Sequence, residues 1–264
     1  MADARTPNRY GQLIEGVFFD SFCKGATQFE FARDDLEAKA EQLGIRLPKN
    51  LGDVVYSIRY RSTLPQSILD TQSEGREWII EGAGRARYRF RLVAETRIVP
   101  REELIKIAIP DATPELIRAY ALDDEQALLA IVRYNRLIDT FLGLTTYSLQ
   151  NHLRTTVREI GQIEIDELYI GIDRHGCHHA IPVQAKGGSD QIGVVQTSQD
   201  IAYVEKKFPG LRCRAISAQF MADGIIALFE LALQDDQVRV VQERHYRLVP
   251  AKELDPAAIR NYID

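Results

Sequence analysis

Apolar and polar positions along the chain switch between a helical period and a strand period, and the switches mark the predicted elements. Over 34–43 (DDLEAKAEQL) apolar residues recur at helical spacing behind an acidic start, and Gly44 ends the run. Pro48 opens a second predicted helix, 49–61, in which Leu51, Val54, Val55 and Ile58 form one apolar stripe. The segment 77–94 (EWIIEGAGRARYRFRLVA) alternates at period two and reads as a hairpin closed by Gly82-Ala83-Gly84. On its second strand Arg85, Arg87, Arg89 and Arg91 fall on one face, with Ala86, Tyr88, Phe90 and Leu92 on the other.

Prolines at 100, 110 and 114 mark a connecting region, and a domain boundary is placed there, giving a first domain over 1–110 and a second over 111–264. Helical patterns follow over 114–120 and 123–142, and helix is expected to continue, broken near Gly143, to about Glu159. Strands are predicted over 161–172, with Ile163, Ile165 and Leu168 buried, and over 178–188. A helix over 190–208 is stopped by Pro209-Gly210, and strands follow over 212–219, 225–233 and 238–248. This order implies an α/β second domain, a mixed sheet with helices against it, behind an α+β first domain.

Composition narrows the classes. Of 264 residues, 45% are hydrophobic and 27% charged, the balance of a chain that folds throughout. No stretch approaches the roughly 18 consecutive apolar residues of a membrane span, and MADARTPNRYGQ lacks an apolar signal core, so a cytoplasmic location and no membrane partner are expected. Cys23, Cys177 and Cys213 are too few and scattered for a disulfide framework. A net charge of −5 speaks mildly against nucleic acid unless the cations are gathered on one surface.

The chemistry gathers on the two strands around residue 170. Asp166 lies on the first, Gln184 and Lys186 lie on one face of the second, and pairing of the strands would bring all three to one end. A carboxylate and an amide oxygen are hard donors suited to Mg²⁺ or Mn²⁺, and a neighbouring ammonium can orient or help deprotonate a water and offset charge developing on phosphorus. An acidic residue on one strand, then Gln-x-Lys on the next, resembles the PD-(D/E)XK nuclease superfamily, and the Gln form is similar to Mrr-type restriction endonucleases; the likeness covers roughly residues 140 to 235. The resemblance implies a restriction-endonuclease-like core with an amphipathic helix before the first strand, ending at Glu159, and another after the lysine. It implies Asp166, Gln184 and Lys186 as the catalytic group, with Asp166 and Gln184 on the metal. Because Gln184 is neutral, a further carboxylate is expected there, either Glu164, which shares the Asp166 face, or Glu159. In the later helix Gln196, Gln199 and Tyr203 lie beside an expected apolar face of Ile192, Val195 and Ala202, and Gln196 is a candidate accessory residue.

The helix pair followed by a basic hairpin resembles a winged-helix DNA-binding domain, in which the second helix enters the major groove. Lys49, Asn50, Tyr56, Arg59 and Arg61 on that helix and Arg85 and Arg87 on the wing are the candidate contacts, while Arg89 and Arg91 have Glu77 and Glu81 within cross-strand reach. His175, Cys177, His178 and His179 lack the spaced second pair of a zinc site, and no phosphate-binding loop, GxSxG or HExxH occurs. The expectation is a homodimeric, site-specific endonuclease acting on double-stranded DNA. The alternative is a non-catalytic DNA-binding regulator with a degenerate nuclease domain.

Overall fold

The structure, a computed structural model, describes residues 8–60, 62–94, 97–120, 125–157, 161–187, 190–255, 257 and 260, with only the backbone of Arg59 and Tyr60. Arg61 and Glu159 lie outside the described residues, as does the side chain of Arg59. The chain divides into two compact units, Met1–Thr96 with Thr156–Gln162, and Arg97–Thr155 with Ile163–Asp264. Residues 97–110, counted above with the first domain, fall in the second unit.

The first unit runs α1 (Arg9–Ser21), β1 (Gln28–Ala32), α2 (Arg33–Leu43), α3 (Gly52–Tyr60), α4 (Gln66–Leu69), β2 (Glu77–Gly82) and β3 (Arg87–Val93). Asn8 caps α1 by accepting from the N–H groups of Tyr10 and Gly11, and the carboxylate of Asp35 accepts from the N–H of Ala32 to close the start of α2. The expected helix from 49 begins instead at Gly52. The Asn50 side chain accepts from the N–H of Gly52 and donates to Asp53, so it caps the helix from outside. Its apolar stripe behaves as expected, with Leu51, Val54, Val55 and Ile58 buried against α1 and α2 side chains. Phe18 sits at the middle of this core, edge-on to Trp78 and Phe90 at ring separations of 5.3 and 5.0 Å.

The sheet order is β1-β3-β2, antiparallel throughout, which makes the arginine strand central. Strand β1 is not among the elements expected above, although its five residues, QFEFA, alternate polar and apolar, with a single side chain fully buried. It changes the arginine row, because Glu30 of β1 faces Arg89 in register. Glu30 binds Arg87 at 3.0 Å and Arg89 at 2.8 Å, while Glu81 takes Arg91 at 2.9 Å. The row is also shorter than expected. Ala86 adopts a left-handed φ of 56°, the strand starts at Arg87, and Arg85 belongs to the turn.

The second unit runs β4 (Arg97–Ile98), β5 (Lys106–Pro110), α5 (Glu115–Tyr120), α6 (Glu125–Tyr134), α7 (Leu137–Leu142), β6 (Thr145–Val157), β7 (Gly161–Ile172), β8 (His178–Lys186), β9 (Ile192–Gly193), α8 (Val194–Lys207), β10 (Arg212–Cys213), β11 (Ala215–Phe220), β12 (Ile225–Gln234) and β13 (Gln237–Val249). Its main sheet is mixed, in the order β5-β13-β12-β11-β8-β7-β6 with β10 beside β8. Strand β11 is parallel to β8 and reached through α8, whereas β7 is antiparallel to β8 and β12 to β11. On one face Ile181, Val183 and Ala185 of β8 pack with Leu128, Leu129 and Val132 of α6. On the opposite face lies α8. The unit is thus mixed α/β, with helices on both faces of a large sheet. Among the described residues no helix is long and apolar enough to cross a membrane.

The expected helix up to Glu159 is corrected. Gly143, at φ 65°, ends α7, and Thr145–Val157 forms a 13-residue strand at the sheet's edge. Leu149, Leu153 and Val157 recur every fourth residue and imitate a helical stripe, but the segment is rich in threonine, which suits a strand, and Leu149 is exposed. The helices preceding the Asp166 strand are therefore α6 and α7, with β6 between them and β7.

Candidate active site

Strands β7 and β8 pair in register from Ile172↔His178 to Glu167↔Val183, and beyond that point side chains span the gap between them. The Asp166 carboxylate accepts from the N–H of Ala185 at 2.8 Å, and the Gln184 amide nitrogen donates to the carbonyl of Glu164 at 2.8 Å. Meanwhile β8 continues against β11 as far as Gln219↔Lys186. Asp166, Gln184 and Lys186 thus meet where β7 parts from β8.

Side chains from both faces complete this fork. From α8, Asp200 accepts from Gln184 Nε2 at 2.7 Å, and Gln196 donates to Gln184 Oε1 at 2.7 Å. From the start of α6, Glu125 accepts from Lys186 Nζ at 2.8 Å. Neither Asp200 nor Glu125 stands out in the sequence. Asp200 lies on the buried stripe of α8 with Val194, Thr197, Ile201 and Val204, and Gln199 is buried as well. The expected apolar face of Ile192, Val195 and Ala202 is corrected accordingly: Ile192 precedes the helix, Val195 and Ala202 are only half-buried, and polar residues within the true stripe mask its period.

Burial sets the charges. It pushes the Asp166 carboxyl up to about 6, against the opposing pull of the Ala185 N–H and the Lys186 ammonium. Asp200 is pushed well above the usual carboxylate range, first by burial and then by the charge of Asp166, while the Gln184 hydrogen bond works the other way. Burial alone would lower Lys186, but its hydrogen bond to Glu125 and the charges of Glu125 and Asp166 outweigh it and hold the ammonium above its ordinary value. Lys186 is therefore a cation and a donor rather than a base.

Glu164, expected on the metal, turns its carboxylate to Arg154 at 2.8 Å, with His152 at 3.5 Å, both on β6. It reaches the fork through its backbone carbonyl. Comparison with protein-family models, curated proteins and solved structures finds no match. Among the described residues no group of three or more His, Cys, Asp or Glu side chains is arranged to hold a metal, and this includes the His175–His179 turn, where His179 is buried beside Asp173 and His178 is exposed.

In the first unit the candidate DNA contacts Lys49, Asn50, Tyr56, Arg85 and Arg87 are all exposed. They differ in freedom: both polar ends of Asn50 serve the start of α3, and Arg87 is held by Glu30.

Proposed function

We propose that the chain is a divalent-metal-dependent DNA endonuclease, with Asp166, Gln184 and Lys186 at its centre and the first unit as a winged-helix-like DNA-binding domain. The observation that carries the reading is the fork itself. A buried carboxylate on β7, an amide and an ammonium at the end of β8, and α8 crossing to the parallel strand β11 support the superfamily resemblance, although strand β6 rather than a helix directly precedes β7. In the first unit, α2 and α3 followed by the β2–β3 hairpin support the DNA-binding half.

The donors fit a hard cation. Mg²⁺ is held by one or two carboxylates and keeps several waters. Asp166 is such a carboxylate, and the Gln184 oxygen, which among the described residues accepts from Gln196, keeps a second lone pair. When bound, the cation would supply Lewis-acid polarisation of a phosphate oxygen. Lys186, fixed by Glu125, places a positive charge and N–H donors where negative charge builds on the phosphorus. Gln196 orients Gln184, and because double-strand cleavage usually wants two centres, this reading expects a homodimer.

The test is cleavage of mixed plasmid and genomic DNA in Mg²⁺ or Mn²⁺. The expected result is metal-dependent scission, abolished in Asp166→Asn and reduced by about 10²-fold or more in Lys186→Ala, as for removal of one transition-state donor, with DNA binding retained. DNA binding without cleavage under any divalent cation would assign the chain to the non-catalytic regulators instead.

A further inference from the structure

We propose that Asp200 supplies the second anionic oxygen ligand of the cation site, and that Gln184 acts mainly to position it; this rests on the nuclease reading above. Gln184 stands where a carboxylate would be expected beside Asp166, and its amide orientation is fixed by its neighbours. The nitrogen faces two acceptors, the Glu164 carbonyl and Asp200 Oδ2, and the oxygen faces the Gln196 donor. Flipping the amide would set its oxygen against both acceptors.

Asp200 is 2% exposed, and the hydrogen bond from Gln184 leaves its other oxygen, Oδ1, buried without a hydrogen-bond partner among the described residues. The same face holds a second such atom. Gln219, the register partner of Lys186, donates to the Asp190 carbonyl and leaves its buried Oε1 unpartnered. Buried oxygens without donors are costly unless something positive meets them. Nor is a spare charge of the protein on hand to meet them: the ammonium of Lys186 is already engaged by Glu125. A hard divalent cation, taking oxygen donors, meets the need. Asp200 and Asp166 are linked through adjacent residues of β8: Gln184 donates to Asp200, and the N–H of Ala185 donates to Asp166. Glu164, with its carboxylate on Arg154, is left out of the site.

The experiment is Mn²⁺ titration of the full chain without DNA, followed by electron paramagnetic resonance, with melting curves on every variant. Wild type is expected to bind Mn²⁺, with Asp166→Asn and Asp200→Asn each weakening binding by about tenfold or more. The double variant Gln184→Glu/Asp200→Asn, which exchanges the acid and the amide at nearly constant volume, is expected to recover binding. It also serves as the test should Asp200→Asn alone fold poorly. A folded Asp200→Asn that loses less than about tenfold while Asp166→Asn loses binding, or a folded double variant that recovers none, overturns the role of Asp200 and leaves the nuclease reading standing. Absence of Mn²⁺ binding in the wild type, together with absence of cleavage, overturns both.

Discussion

At Asp166 the fold holds a carboxylate in a place that favours its neutral form, with the N–H of Ala185 donating to it. Its folded value of about 6 lies above the ordinary 3.8, so the folded state binds this proton more tightly than the unfolded chain does. The stability from this group is fully present below the unfolded value and is lost as pH rises through about 6. Asp166→Asn keeps the acceptor for Ala185 and removes the charge. In metal-free protein it is expected to raise stability at neutral pH by on the order of 2–3 kcal/mol, with the gain vanishing below about pH 4; urea melts across that range check it. Of the site residues, Asp166, Gln184 and Lys186 are legible in the sequence because strand parity and the Gln-x-Lys spacing place them, and Gln196 is named there only through the resemblance, as a residue of the helix after the lysine. Asp200 and Glu125 are not, because each comes from a helix whose approach to the strand end only tertiary packing decides.

Among the elements, those with a strong period and a clear stop are readable in advance: α2 with Gly44, the β2–β3 hairpin, and β12 and β13. Gly44 illustrates the stop. It sits at φ 65°, its N–H bonds back to the last turn of α2, and a Cβ there would meet nothing within 4 Å. Gly44→Ala is therefore expected to cost about 1 kcal/mol through backbone strain alone, read as a lower denaturation midpoint with an unchanged slope. The errors share a cause. In β6 an edge strand with one apolar residue in four mimics a helix, and in β1 an alternation of only five residues is too brief to stand out and is held by pairing with β3. That missed strand brings Glu30, which binds Arg87, one of the two wing arginines expected to face DNA, together with Arg89.

On the scale of the whole molecule, the two units divide the proposed labour: phosphate contact in the first, chemistry in the second. With a net charge of −5, DNA affinity must come from local cations; the candidate contacts Lys49, Arg85 and Arg87 are all exposed, and Arg87 is ion-paired with Glu30. Lys49→Ala and Arg85→Ala are each expected to weaken binding to all duplex sequences alike and to reduce the slope of log affinity against log salt by about one. Fluorescence anisotropy at several salt concentrations measures this, and neither change is expected to alter Mn²⁺ binding at the fork. The central claim concerns the fork, and its most direct measurement is the single-turnover rate of DNA cleavage by wild type and by Asp166→Asn, each in Mg²⁺ and in EDTA. The expected result is scission by the wild type in Mg²⁺ alone, with none by the variant. Equal rates for the two proteins in Mg²⁺, or a rate unaffected by EDTA, would contradict the assignment of Asp166 and its neighbours as a metal-dependent nuclease centre.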